Sequence, residues 1–233
     1  PSRMTKHRNR LLAALPAADL NLLETNLQSV QLEKRRVMEA PNKPIDYVYF
    51  PETVIASVVA VCGREERIEI GLIGCEGMTG IPLLMDDHKT PHSTYVQVEG
   101  EALRIETDAF RKLLAQNASL HNRLLRFAQV FTAQIAQTAL ANGRAKLEQR
   151  LARWILMAHD RTVADDVAMT HEFLAVMLGV RRASVTVALD SFEKKGVIEA
   201  RRGTITVVDR KAIEKMAGHF YGVPEAEFRR LIG

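Results

Sequence analysis

Near Asp108 the hydrophobic pattern of this chain changes its period. Before that point, short β-branched or alternating runs occur at Asp46–Phe50, Val54–Val61, Arg67–Ile73, Thr94–Glu99 and Ala102–Ile105. Turn formers separate them, namely Pro51, Gly63, Gly74, Gly77, Gly80, Pro82, Pro91 and Gly100. After it, apolar residues recur every three or four positions for roughly fifty residues. No helical pattern interrupts the early runs, so they predict an antiparallel sandwich or roll, led by a short helix over Ala17–Gln28. The expected class is α+β, with the sheet first and the helices second. At 47% hydrophobic the chain can fill real cores.

Thr107 or Asp108 can cap a short helix through Leu114, and Asn117 or Ser119 can cap a long one beginning at Leu120. Leu120, Leu124, Phe127, Phe131, Ile135 and Thr138 then lie on one face, while Arg123, Arg126, Gln129 and Gln137 fall on others. A helix of this length spans about 30 Å, more than a small β-domain covers. The stripe is therefore expected to be a dimer seam in preference to a helix packed only on its own domain. Ala141-Asn142-Gly143 should break it, and a second helix is expected from Ala145 to His159.

The segment His171–Leu189 fits two helices around a tight turn. Ala175 is small where they cross, and Gly179 stands where the turn needs a left-handed backbone. Leu174, Leu178, Val180, Val185 and Leu189 supply the inner face, and Thr170 caps the first helix. The exposed start of the second helix then carries Arg181, Arg182, Ser184 and Thr186, donors suited to phosphates and base edges. This predicts a DNA-binding helix-turn-helix in preference to a plain helical hairpin. Two short strands joined at Arg202-Gly203 follow, a wing that brings Lys194, Lys195, Arg201 and Arg202 toward phosphate.

Charge agrees with that placement. Residues 1–143 hold 16 basic and 16 acidic side chains, whereas residues 144–233 hold 16 and 12, so the net +4 belongs to the helical part. A polyanion is the partner that such an asymmetry favours.

With Gly100-Glu101-Ala102-Leu103-Arg104-Ile105 ending the roll, a long helix, and Leu178–Thr186 in the turn and second helix, the chain resembles the CRP/FNR transcription regulators over its whole length. The resemblance implies a cyclic-nucleotide-binding-like β-roll (a jelly roll) over 1–117, a central dimerisation helix over 118–143 and a winged helix-turn-helix over 144–233. It also implies a homodimer on a palindromic operator, with double-stranded DNA and RNA polymerase as partners. Arg182 matches the principal base-reading arginine, while Ala183 and Val187 stand where a glutamate and a second arginine are expected.

The effector pocket implied by the same resemblance involves Gly80, Ile81, His92, Ser93 and Ile135. Ile81 replaces the carboxylate that holds a ribose hydroxyl and His92 the arginine that holds the cyclic phosphate. Ile135 and Ala136 stand where base-binding hydroxyls belong. The pocket is thus divergent and not suited to cyclic AMP.

Two cysteines, Cys62 and Cys75, exclude an iron–sulfur cluster of the regulatory type. His88, His92, His121 and Cys75 are scattered and do not suggest haem. Glu76–Gly80 leads into no helix and is read as a tight turn, not a phosphate loop. The acid pairs Glu65-Glu66 and Asp86-Asp87 read as solvated loop charge, and no catalytic motif occurs, so neither an enzyme nor a resident cofactor is expected. The apolar run Leu11–Ala18 is short and holds Pro16, so a cytoplasmic protein without membrane contact is expected. An alternative from another class is a small-molecule-binding roll whose C-terminal domain engages a protein partner.

Overall fold

The computed structural model describes residues 7–63 and 66–233. Residues 1–6 of the basic start, and Glu65 of the Glu65-Glu66 pair, lie outside the described residues. Two short helices, α1 (Arg10–Ala13) and α2 (Ala17–Glu24), lead into β1 (Gln28–Leu32), β2 (Val37–Glu39), β3 (Tyr47–Pro51), β4 (Ile55–Cys62) and β5 (Glu66–Ile73). A 3-10 turn at Ile81–Met85 precedes β6 (Ser93–Val98) and β7 (Gly100–Glu106). The strands form two antiparallel sheets, ordered β1-β7-β3 and β2-β6-β4-β5. The leading helix stops four residues short of the expected Gln28, because Gln28 already pairs with Arg104 of β7.

The helical part follows as α3 (Thr107–Gln116), α4 (Ala118–Arg144) and α5 (Leu147–His159). Contrary to expectation, α4 runs through Asn142-Gly143 and ends at Arg144. One glycine costs a helix about 1 kcal/mol, too little to break one whose last turn closes from Ala145 N to Ala141 O at 2.9 Å. Strand β8 (Asp166–Ala168) then precedes α6 (His171–Leu178) and α7 (Arg182–Lys194), followed by β9 (Ile198–Arg201) and β10 (Thr204–Val207) in a sheet ordered β8-β10-β9. The chain closes with α8 (Arg210–Ala217) and α9 (Val223–Leu231). Among the described residues no helix is long and apolar enough to cross a membrane.

The expected dimer seam needs correction. Leu120, Leu124, Phe127 and Phe131 are buried in the core of the roll, and Ile135 packs half-buried against the same core. Thr138 bonds to Gln134 O at 2.9 Å and receives Arg153 at 3.1 Å. The length argument fails because α9 also packs along α4, so more than the sheet covers this helix. Glycines make the close approach possible. A Cβ on Gly77 would stand 2.0 Å from Cζ of Phe127, and one on Gly71 would stand 2.7 Å from Cε2 of Phe131. The Glu76–Gly80 turn therefore serves as the bed of a phenylalanine ring.

The two parts of the chain are packed together. Ile55 and Leu72 of the roll belong to the core of the C-terminal part, and α6 lies against β5. Strand β5 is the edge of its sheet, where unpaired backbone groups need cover. Gln134 supplies some of it, accepting from Leu72 N at 2.6 Å and donating to Leu72 O at 3.1 Å. A buried ion pair, Arg161 to Glu76 at 2.7 Å, joins the end of α5 to the glycine-rich turn.

Candidate nucleic-acid interface

Helices α6 and α7 meet around Gly179, whose φ of 60° and ψ of 40° lie in the left-handed region that glycine adopts without strain. Thr170 caps α6 by accepting from Phe173 N at 3.2 Å, and Leu174, Leu178, Val185 and Leu189 are buried between the helices and the rest of the domain. Burial of that inner face leaves the opposite side of α7 exposed. There stand Arg181, which is the residue before the first turn, Arg182, Ala183 and Val187. The first turn of α7 holds no acidic residue, so the helix dipole and both guanidinium groups favour an anion at the same place.

The other sequence candidates divide. Lys194 and Lys195 are exposed at the end of α7, and Arg201 and Arg202 are exposed on the β9-β10 hairpin, where Arg201 also meets Glu199 at 3.3 Å. Ser184 is half-buried. Thr186 is turned inward: its hydroxyl donates to Arg182 O at 3.2 Å and meets Nδ1 of His171 at 3.0 Å. It fastens α6 to α7 and is not a free donor for DNA. Thr170 is exposed, but its oxygen already serves the cap. Sequence reasoning noted Val187 only as a departure from a family pattern, yet it is 69% exposed in the middle of the outward face. The signal was present in the helical period, since Ala183 and Val187 are four residues apart.

The expected effector residues do not converge. In β6 the side chains alternate, so Thr94 and Val96 are buried inward while Ser93, Tyr95 and Gln97 line a cleft on the outer face of the sheet. Ser93 therefore cannot share the interior with Ile81, which packs on the roll core, or with Ile135. His92 is half-buried and its backbone N donates to Thr90 Oγ1 at 3.1 Å; burial lowers its pKa. A carboxylate does reach this region, though not from position 81. Glu39 accepts from Gly80 N at 2.6 Å and from Thr94 Oγ1 at 2.5 Å, and burial raises its pKa. Its strand neighbours did not mark it, because the contact spans 41 residues of sequence to Gly80 and 55 to Thr94.

Among the described residues no group of three His, Cys, Asp or Glu side chains is arranged to hold a metal ion. Cys62 is exposed and Cys75 buried. His88 N-terminal to β6 and His121 on α4 lie apart in role, the latter bonded through Nε2 to Leu84 O at 2.8 Å.

These features are similar to those of known proteins. Residues 149–216 match the Crp-like helix-turn-helix domain. A CRP/FNR-family regulator from Eubacterium rectale superposes with a TM-score of 0.68 at 17% identity, covering 89% of this chain and 97% of that one. FixK2 from Bradyrhizobium japonicum superposes at 0.71 and 15% identity, covering 82% and 98%. The c-di-GMP-responsive regulator CLP from Xanthomonas campestris gives 0.66 at 14% identity, covering 82% and 99%. A search of curated protein sequences finds no match. Residues 149–216 thus match the Crp-like helix-turn-helix domain, and over most of its length the chain has the fold of the CRP/FNR transcription regulators.

Proposed function

We propose that the chain is a homodimeric, sequence-specific DNA-binding transcription regulator that reads a palindromic operator and does not answer to cyclic AMP. The carrying observation is the start of α7, where Arg181 and Arg182 are exposed while the opposite helical face is buried, together with the exposed Arg201 and Arg202 of the hairpin. In this reading residues 1–117 form the sensory roll, 118–143 the pairing helix and 144–233 the DNA-binding unit, with RNA polymerase as a further partner. Because Leu120, Leu124, Phe127 and Phe131 of the seam first expected are buried, pairing uses another face of α4. Leu125, Gln129, Thr132, Ala136 and Leu140 recur at steps of four and three, and each is exposed or half-buried.

Support for a divergent pocket comes from Glu39. An anion entering the roll would meet Glu39, which already occupies Gly80 N and Thr94 Oγ1, while position 92 supplies an imidazole in place of a fixed cation. Cyclic AMP is accordingly expected to leave the melting temperature unchanged, and a saturable rise at micromolar ligand would contradict this.

The function itself is tested by footprinting and by salt titration on selected duplexes. Protection of an inverted repeat is expected, with affinity falling steeply as salt rises. A flat salt response, or failure to bind any duplex, would instead favour a protein partner for the C-terminal domain.

A further inference from the structure

Outside the roll interior, a cleft of about 470 Å³ opens between the outer face of the β2-β6-β4-β5 sheet and helix α6. Its size falls within the range of small-molecule sites. Three cations, Lys34, Arg35 and Arg67, line it from the β1-β2 turn and from β5, against Glu172 as the one carboxylate in its lining among the described residues. No described carboxylate lies within ion-pair distance of any of the three. Beside them Tyr95 of the sheet and Phe173, Val176 and Met177 of α6 supply apolar surface, with Ser93, Gln97 and Thr170 as uncharged polar lining.

The turn that presents two of the cations is held in place. Arg35 adopts a φ of 70°, a conformation that costs a non-glycine residue about 1 kcal/mol or more, and its N donates to Val96 O at 2.8 Å. A cationic rim next to apolar surface is the arrangement expected of a pocket that receives an anionic head and a nonpolar body.

We infer that this cleft binds an organic carboxylate with an apolar body, its charged head among Lys34, Arg35 and Arg67 and its body between Tyr95 and α6. Aliphatic and aromatic acids share that chemistry. Because one wall is the first helix of the helix-turn-helix, an occupant touches both parts of the chain at once. Nothing in this inference depends on whether α7 contacts DNA.

Calorimetric titration of the full chain with decanoate, 2-naphthoate, decyltrimethylammonium and inorganic phosphate tests it. One carboxylate should saturate at one molecule per chain, with decyltrimethylammonium and phosphate at least about tenfold weaker. Whether decanoate or 2-naphthoate binds more tightly identifies an acyl or an aromatic body. The variant Lys34→Gln/Arg67→Gln changes only exposed side chains and should weaken the same carboxylate by about tenfold while leaving the melting temperature unchanged. Absence of saturable carboxylate binding, equal binding of the cationic amphiphile or of phosphate alone, or undiminished affinity in the variant would each overturn the inference.

Discussion

Trp154 Nε1 donates a hydrogen bond to Oε1 of Glu69 at 2.6 Å, tying α5 of the C-terminal part to β5 of the roll. The other oxygen of Glu69 receives the hydroxyl of Ser57, which also lies 3.4 Å from the sulfur of Met177 on α6. A carboxyl group is therefore enclosed where the two parts meet.

Burial pushes Glu69 up to about 7 against an ordinary 4.5, while its hydrogen bonds and the nearby Arg153 and Arg161 act the other way. The folded chain thus holds this proton more tightly than the unfolded one. Its contribution is full below about pH 4.5, falls as pH rises through about 7, and is flat above, a total on the order of 3 kcal/mol. Glu69→Gln keeps an acceptor for Trp154 and removes the titration. Melting temperatures between about pH 5 and 8 should fall for the native chain relative to the variant; parallel profiles would show that Glu69 does not titrate there.

Gly77→Ala places a methyl group within 2.0 Å of the Phe127 ring. A buried overlap of this kind costs about 1–3 kcal/mol. Urea unfolding should show that loss, and Gly77→Ala combined with Phe127→Leu should lose less than the sum of the two single changes. Strict additivity would mean that the ring and the turn do not press on one another.

Arg182→Ala should weaken binding to a selected operator by about 1–3 kcal/mol and flatten preference at one base position in each half-site. Arg202→Ala, on the hairpin turn, should weaken all duplexes alike and reduce the salt slope by about one. Competition against base-substituted duplexes separates the two outcomes, and uniform weakening by Arg182→Ala would make it a phosphate contact.

Val187 and Ala183 offer no donor or acceptor, so the base group they suit in a major groove is the thymine methyl. Replacing each operator thymine in turn by deoxyuridine removes only that methyl. At least one such replacement per half-site should weaken native binding several-fold and have no effect on the Val187→Ser variant. Indifference of the native chain at every position would leave Val187 without a role in recognition.

Periodicity carried much of the architecture. The strands β3 to β7 start and end within about two residues of the expected runs, and Thr170, Gly179 and the α7 start occupy their expected positions in the helix-turn-helix. These features are local, since alternation, capping and a left-handed turn depend on residues a few positions apart. The stripe on α4 was equally legible as a face, but its neighbour was not. A period tells which side of a helix is apolar and is silent on whether a sheet, a second copy or a returning C-terminal helix covers it.

The helix-turn-helix, its wing and the cations they carry could thus be named from residue order alone, because their geometry is written in short spacings. Tertiary structure decided that Phe127 and Phe131 belong to the roll, that Thr94 and not Ser93 faces its interior, that Glu39 bonds Gly80 N, and that Glu69 meets Trp154. Each of these depends on segments brought together across 40 residues or more, 85 in the case of Glu69 and Trp154. Such contacts are selected by how whole faces pack and how buried polar groups find partners, a choice that no local spacing encodes.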